Sequence, residues 1–155
     1  MQTVAELLAD HPFLKGIDAD ALTLIEGCTR IAHFRPDAFL FREAEPADTF
    51  FLLRSGHVAL ETHAPGRADY VLDTIPAGGV VGWSWLVPPY RWFCDGRATE
   101  EVSALVVDGA CLRGKCEENP ALGYALLQRV THLMYERMQS ARVRLQDLYG
   151  VPGGT

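Results

Sequence analysis

The chain has 155 residues, with 14 Lys+Arg against 20 Asp+Glu for a net charge of −6, and 48% of it is hydrophobic. That is enough apolar mass for one core and too little chain for a multi-domain enzyme. No stretch gathers Lys and Arg into a surface that would track a phosphate backbone, which excludes autonomous nucleic-acid binding. No run approaches the roughly 18 uncharged apolar residues of a membrane span.

The first residues, MQTVAELLADHPFLKG, put Glu6 and Asp10 where a secretory peptide carries a basic flank, so a soluble, cytoplasmic protein is expected. The four cysteines, Cys28, Cys94, Cys111 and Cys116, are few and unevenly spaced. They read as buried or idle thiols rather than as a disulfide scaffold or a zinc site, and no metal is expected.

Three zones follow in chain order. Over residues 1–30, Val4, Leu7, Leu8, Leu22, Leu24 and Ile25 recur at helical spacing, interrupted at His11-Pro12 and Gly16, with Asp18 as a cap for a second short helix. Over residues 31–112 the pattern changes to six short runs, IAHF, AFLF, TFFLL, HVALET, YVLDTI and EVSALVV, separated by Pro, Gly and Asp turns. Such a series predicts an antiparallel β-roll or jelly roll, hence an α+β, mainly β, single domain. Inside it, GWSWLVPPYRWFCDG lacks strand alternation and predicts a short helix at 84–87 and a projecting loop.

The last zone, 119–149, opens on Asn119-Pro120 and contains no further Pro before Tyr149. Leu122, Leu126, Val130, Met134, Met138, Ala141, Leu145 and Leu148 form one apolar stripe on a helix about 45 Å long. A small roll covers about half of that length, so the remainder is expected to pack on the same stripe of a second copy.

Helices, a β-roll with a short helical interruption, and one long helix resemble the cyclic nucleotide-binding domain of the catabolite-activator and protein kinase A regulatory-subunit type. The resemblance runs over about residues 10–148. HPFLKGIDADALTLI is similar to the entry helices of that family and FREAEPADTFFLLRSGHVAL to its second and third strands. IPAGGVVGW is similar to the approach to its phosphate cassette, residues 78–99 here, and Arg97-Ala98-Thr99 to the end of that cassette. The chain stops six residues after the long helix, where transcriptional members add a helix-turn-helix domain, so the resemblance is to a stand-alone member acting through a separate effector.

The resemblance implies a site for an organic phosphate, cAMP or cGMP by default, with no cofactor and no catalytic residue. Gly82 would let the ligand approach the backbone, a helix starting at Ser84 and Trp85 would point amides at the phosphate, and Arg97, next to Ala98, would neutralise its charge. Arg91 is the rival for that charge. Arg137, Ala141 and Arg142 on the long helix correspond to residues that meet the base or the partner chain.

One departure bears on chemistry. Trp83 stands where the family has a ribose-binding glutamate, so a carboxylate acceptor is replaced by an indole that only donates. Two further readings stay open. In one, Trp83, Trp85 and Trp92 either stack on a different flat anionic ligand or fill the pocket, the latter making the chain a dimerisation or interaction module. In the other, a haem-like cofactor is held by His33 or Cys94. The five histidines include no pair one residue apart as a metal-dependent roll enzyme needs, and no nucleophile elbow or phosphate loop occurs, so no enzymatic activity is expected.

Overall fold

A computed structural model describes residues 1–63, 65–66 and 68–150. Two helices, α1 (Val4–Asp10) and α2 (Ala19–Glu26), lead into eight strands: β1 (Thr29–Phe34), β2 (Phe39–Phe41), β3 (Thr49–Ser55), β4 (Val58–Thr62), β5 (Tyr70–Ile75), β6 (Val80–Val81), β7 (Asp95–Ala98) and β8 (Val102–Asp108). Helices α3 (Gly109–Glu118) and α4 (Pro120–Tyr149) complete the chain. The strands form two antiparallel sheets, in the orders β1-β8-β3-β6 and β2-β7-β4-β5. This is the expected mainly β roll with N-terminal helices and a long C-terminal helix.

Local chemistry sets the helix ends. Thr3 and Glu6 make a reciprocal capping box on α1, Asp18 accepts from the Ala21 amide at 2.8 Å to start α2, and Asn119 accepts from the Leu122 amide ahead of Pro120. Between α1 and α2, buried His11 accepts from the Phe13 amide at Nδ1, which leaves Nε2 to donate to the Leu53 carbonyl at 3.2 Å. Burial pushes its pKa below the usual value, so the neutral ring bolts the N-terminal segment to β3.

The central strands of the first sheet, β3 and β8, are buried on both faces, which is why TFFLL and VSALVV read as continuous apolar runs. Phe50, Leu52, Leu105 and Val107 face the helices together with Leu8, Ile25, Leu112, Leu122 and Leu126. Phe51, Leu53, Ala104 and Val106 face the second sheet and pack with Phe41, Val58, Leu60, Val81 and Trp92. Among the described residues no helix is long and apolar enough to cross a membrane.

Four sequence expectations are corrected. Six strand runs become eight strands, because Val80–Val81 is too short to show a period and Asp95–Ala98 straddles the end of the segment read as helix and loop and the start of Arg97-Ala98-Thr99, read as the cassette end. The helix expected at 84–87 does not form. Leu86 and Val87 donate back to the Trp83 and Ser84 carbonyls, and then Pro88 and Pro89 have no N–H with which to extend the turns. The roll ends at Asp108 rather than Leu112, since the Asp108 carboxylate caps α3 through the Cys111 amide. Finally, Cys28 and Cys111 are not idle thiols. They form a disulfide, with Cα atoms 6.0 Å apart, that ties the α2–β1 junction to α3.

The long helix divides in the manner expected of a domain too small to cover it. Leu122, Leu126 and Val130 are buried, while Met134, Met138, Leu145 and Leu148 are exposed. The outer half is held to the roll by two arginines: Arg137 donates to the Val80 carbonyl, and Arg144 to the Leu72 carbonyl and the Asp73 carboxylate.

Candidate functional site

Strand β7 brings the cassette arginine back into the roll between β2 and β4, with Arg97 opposite Phe39 on one side and Ala59 on the other. Gly96, one residue earlier, has no side chain because Phe41 occupies that space; an added Cβ would collide with its ring. The Phe41 ring is stacked on Trp92, centroids 3.6 Å apart and planes 14° off parallel. Trp92 in turn lies against Gly82, where φ is +102° and an added Cβ would sit 2.7 Å from the indole. From Gly82 to Gly96 the interior is therefore glycine, indole, phenyl, glycine, with no space left between them.

The segment carrying Trp92 is stitched to the β2–β3 connection. The Trp92 amide donates to Glu45, the Ala44 amide to the Trp92 carbonyl at 2.8 Å, and the Ala47 amide to the Tyr90 carbonyl at 2.7 Å. Ala44 closes this connection at φ +71°, a left-handed conformation that favours glycine. Arg91, the rival arginine, donates outward to the Ala44 carbonyl.

Arg97 is engaged by carboxylates, with its side chain 27% exposed. Its Nε and one terminal nitrogen each lie 2.9 Å from an oxygen of Glu61, and the other terminal nitrogen lies 2.8 Å from Asp37. Glu61 is 5% exposed, and its bond to Arg97 holds its carboxyl below the usual range. One guanidinium is thus matched fork-on-fork by Glu61, with a single further bond to Asp37, and a ligand phosphate would have to displace that pairing.

Around this pair sits a further cluster. The His63 imidazole lies 2.8 Å from Asp69, 3.4 Å from Glu61 and 3.3 Å from Asp95, and the bond to Asp69 leads the causes that raise its pKa. Asp95, 4% exposed, also accepts from the Glu43 amide at 2.6 Å.

The other sequence candidates are scattered over the fold. Ser84 and Trp85 are buried in the turns after β6, where Trp85 stacks on Phe50 at 4.7 Å and its carbonyl accepts from Arg113. Ala98 is fully buried and pairs through its backbone with Asp37 and Ala38. Trp83 lies near the surface, stacked on Phe93 at 5.5 Å with the Arg137 guanidinium 5.2 Å from its centroid. Arg142 is exposed on the outer half of α4. His33, exposed on β1, and buried Cys94, whose thiol burial pushes up to about 12, do not come together.

Sequence reading missed Glu61, Asp37 and Phe41 as the groups that engage this site. The available signal was Glu61 itself, a carboxylate set in the otherwise apolar strand VALET.

Residues 31–119 match the cyclic nucleotide-binding domain model, a span that takes in all of the roll from Ile31 onward, the cassette and α3. The chain belongs to the cyclic nucleotide-binding domain family. It is 23% identical over 150 residues to a CRP-like cAMP-activated global transcriptional regulator of Mycobacterium tuberculosis; the match takes in 96% of this chain and 65% of the regulator. A Geobacter metallireducens structure described as a cyclic nucleotide-binding protein superposes with a TM-score of 0.80 at 27% identity, over 88% of this chain and 99% of that one. The regulatory domain of Toxoplasma gondii protein kinase A, solved with cAMP, shares the fold at a TM-score of 0.67 and 17% identity, over 88% of this chain and 48% of that one. The cyclic nucleotide-binding fold is therefore a firm frame, and within it the cassette of this member is packed with its own aromatic rings.

Proposed function

We propose that this chain is a regulatory module of the cyclic nucleotide-binding family that acts as a homodimer through its C-terminal helix, with its phosphate cassette converted into packed core. The observation that carries the reading is the engagement of Arg97. Each of its three nitrogens is bonded to Glu61 or Asp37, and a double layer of rings, Trp92 on Phe41, lies between the two cassette glycines. Of the two outcomes open to such a cassette, a cAMP-type sensor and a Trp-filled interaction domain, this arrangement supports the second.

The helix supplies the output surface. Tyr124, Leu127, Thr131, Met134, Met138, Ala141, Leu145 and Leu148 are all exposed and follow one another in alternating steps of three and four residues. That is the seam spacing of a two-stranded left-handed coiled coil, on a face distinct from the one that buries Leu122, Leu126 and Val130. A second copy of the same helix is the partner that this repeat fits, and an effector protein would read the dimer.

Two measurements test the reading. Thermal melting with cAMP or cGMP leaves Tm unchanged; a bound nucleotide at a hundred times its Kd would add about 2.7 kcal/mol, so even loose binding registers. A nucleotide-dependent rise in Tm that Arg97→Ala removes overturns the closed cassette. Sedimentation of the full chain gives a dimer that Met138→Glu converts to a monomer, and a monomeric wild-type protein at tens of micromolar overturns the helix seam.

A further inference from the structure

Trp83, Phe93, Met134 and Met138 line a groove of about 650 Å³ between the cassette turn and α4, and Arg137 takes part in the same lining. Three of the apolar side chains are widely open: Phe93 is 47% exposed, Met138 61% and Met134 37%. A concave, apolar, aromatic-walled surface of this size is what a small hydrophobic molecule fills, and methionines let such walls adapt to its shape.

Arg137 is the exception in an otherwise apolar surface. Arg97 is bonded to Glu61 and Asp37, Arg144 to Asp73, Arg42 lies against Asp95, and Arg129 donates to three carbonyls, while Arg113, also without an ion pair, donates to the Trp85 carbonyl and lies over the Tyr90 ring away from this groove. Among the described residues Arg137 has a single hydrogen bond, to the Val80 carbonyl, and is in no ion pair; its guanidinium sits against the Trp83 ring. Burial works against its charge. A half-buried guanidinium that is in no ion pair and lies against an aromatic ring in an otherwise apolar wall offers an incoming oxyanion a charge-assisted partner.

From this we infer that the groove binds a hydrophobic organic acid, its hydrocarbon body between Trp83, Phe93, Met134 and Met138 and its carboxylate on Arg137. The site holds one cation, so it matches one negative charge. Its remaining polar groups, the Thr131 and Tyr135 hydroxyls, give little with which to read a sugar or a base, which sets this ligand class apart from nucleotides. Met134 and Met138 also belong to the exposed seam of α4, so the inference deepens the dimer reading: a second helix on that seam would roof the groove, and an occupied groove would tighten the dimer.

The test titrates naphthalene-2-carboxylate and its uncharged counterpart naphthalene-2-methanol into the full-length chain by calorimetry, with sedimentation run on the same samples. The carboxylate is expected to bind at least tenfold more tightly than the alcohol. Arg137→Gln brings the two probes to equal affinity and Arg137→Lys restores part of the difference. Phe93→Ala weakens both probes together and keeps the preference for the acid, which holds the test open should Arg137→Gln fail to fold. Equal affinities in the wild-type protein, a preference that survives Arg137→Gln, or no binding to a protein that sediments as a dimer each overturn the site. Charge-selective binding to a protein that stays monomeric keeps the site and overturns the seam.

Discussion

Trp92 lies flat on Phe41 with their centroids 3.6 Å apart, and each ring covers a glycine of the cassette, Gly82 on one side and Gly96 on the other. The same glycine that would let a phosphate approach the backbone lets an indole approach it instead, and φ of +102° at Gly82 serves either purpose. Two large rings buried to 4% and 6% exposure add apolar burial to the roll interior.

Removing the indole therefore acts on the fold itself. Trp92→Ala is expected to cost ~3–5 kcal/mol in denaturant unfolding, the range for a fully packed large aromatic, and Gly82→Ala to cost about 2 kcal/mol or more by forcing a Cβ against the ring at positive φ. If both variants unfold at the wild-type midpoint, the rings are not core.

Arg97 and Glu61 should behave as one unit. Arg97→Met alone leaves the Glu61 carboxylate buried without its partner and is expected to cost ~3 kcal/mol, whereas the Arg97→Met, Glu61→Leu pair recovers most of that loss because no lone charge remains. A double-mutant cycle read by urea unfolding measures the coupling. Additive losses would mean that the fork does not hold in solution.

The cluster gives stability a window in pH. Glu61 has a folded pKa below its unfolded value of 4.5, so its contribution is complete above that value and is lost as pH falls through the folded one. His63 has a folded pKa above its unfolded 6.5, so its contribution is present below 6.5 and is lost as pH rises through the folded value. From these groups stability should be greatest between about pH 5 and 6.5. His63→Asn should flatten the alkaline limb and weaken the acidic one only in part, since Arg97 is the leading cause of the Glu61 shift, as followed by the urea midpoint across pH.

The sequence made most of the architecture legible where periodicity or capping chemistry is local. Asp18 and Asn119 start helices with their own side chains, and a run such as VSALVV needs no partner to be recognised as buried strand. Strand β7 was not legible, because Asp-Gly-Arg-Ala has no intrinsic preference for extended chain and is held there by β2 and β4 on either side. The site failed for the same reason. Arg97 is visible as a guanidinium on its way into the roll, but its carboxylates lie 36 and 60 residues away and meet it only through the sheet register. A seam on α4 distinct from its buried face emerges only once Leu122, Leu126 and Val130 are known to face the roll.

Cys28 and Cys111 give the last prediction its independent handle on the fold. They are 83 residues apart in sequence, so closing that loop removes much of the freedom of the unfolded chain, worth about 4.5 kcal/mol on the loop-length argument. Both sulfurs sit outside the Trp92 and Arg97 regions, joining the α2–β1 junction to the first turn of α3. Cys111→Ser should lower the urea midpoint under oxidising conditions and have little effect in excess dithiothreitol, where the wild-type protein falls to meet it. The loss should add to that of Arg97→Met without coupling, since the two act on separate parts of the roll. Equal midpoints for wild-type and variant protein without reductant would mean that the bridge does not form in solution.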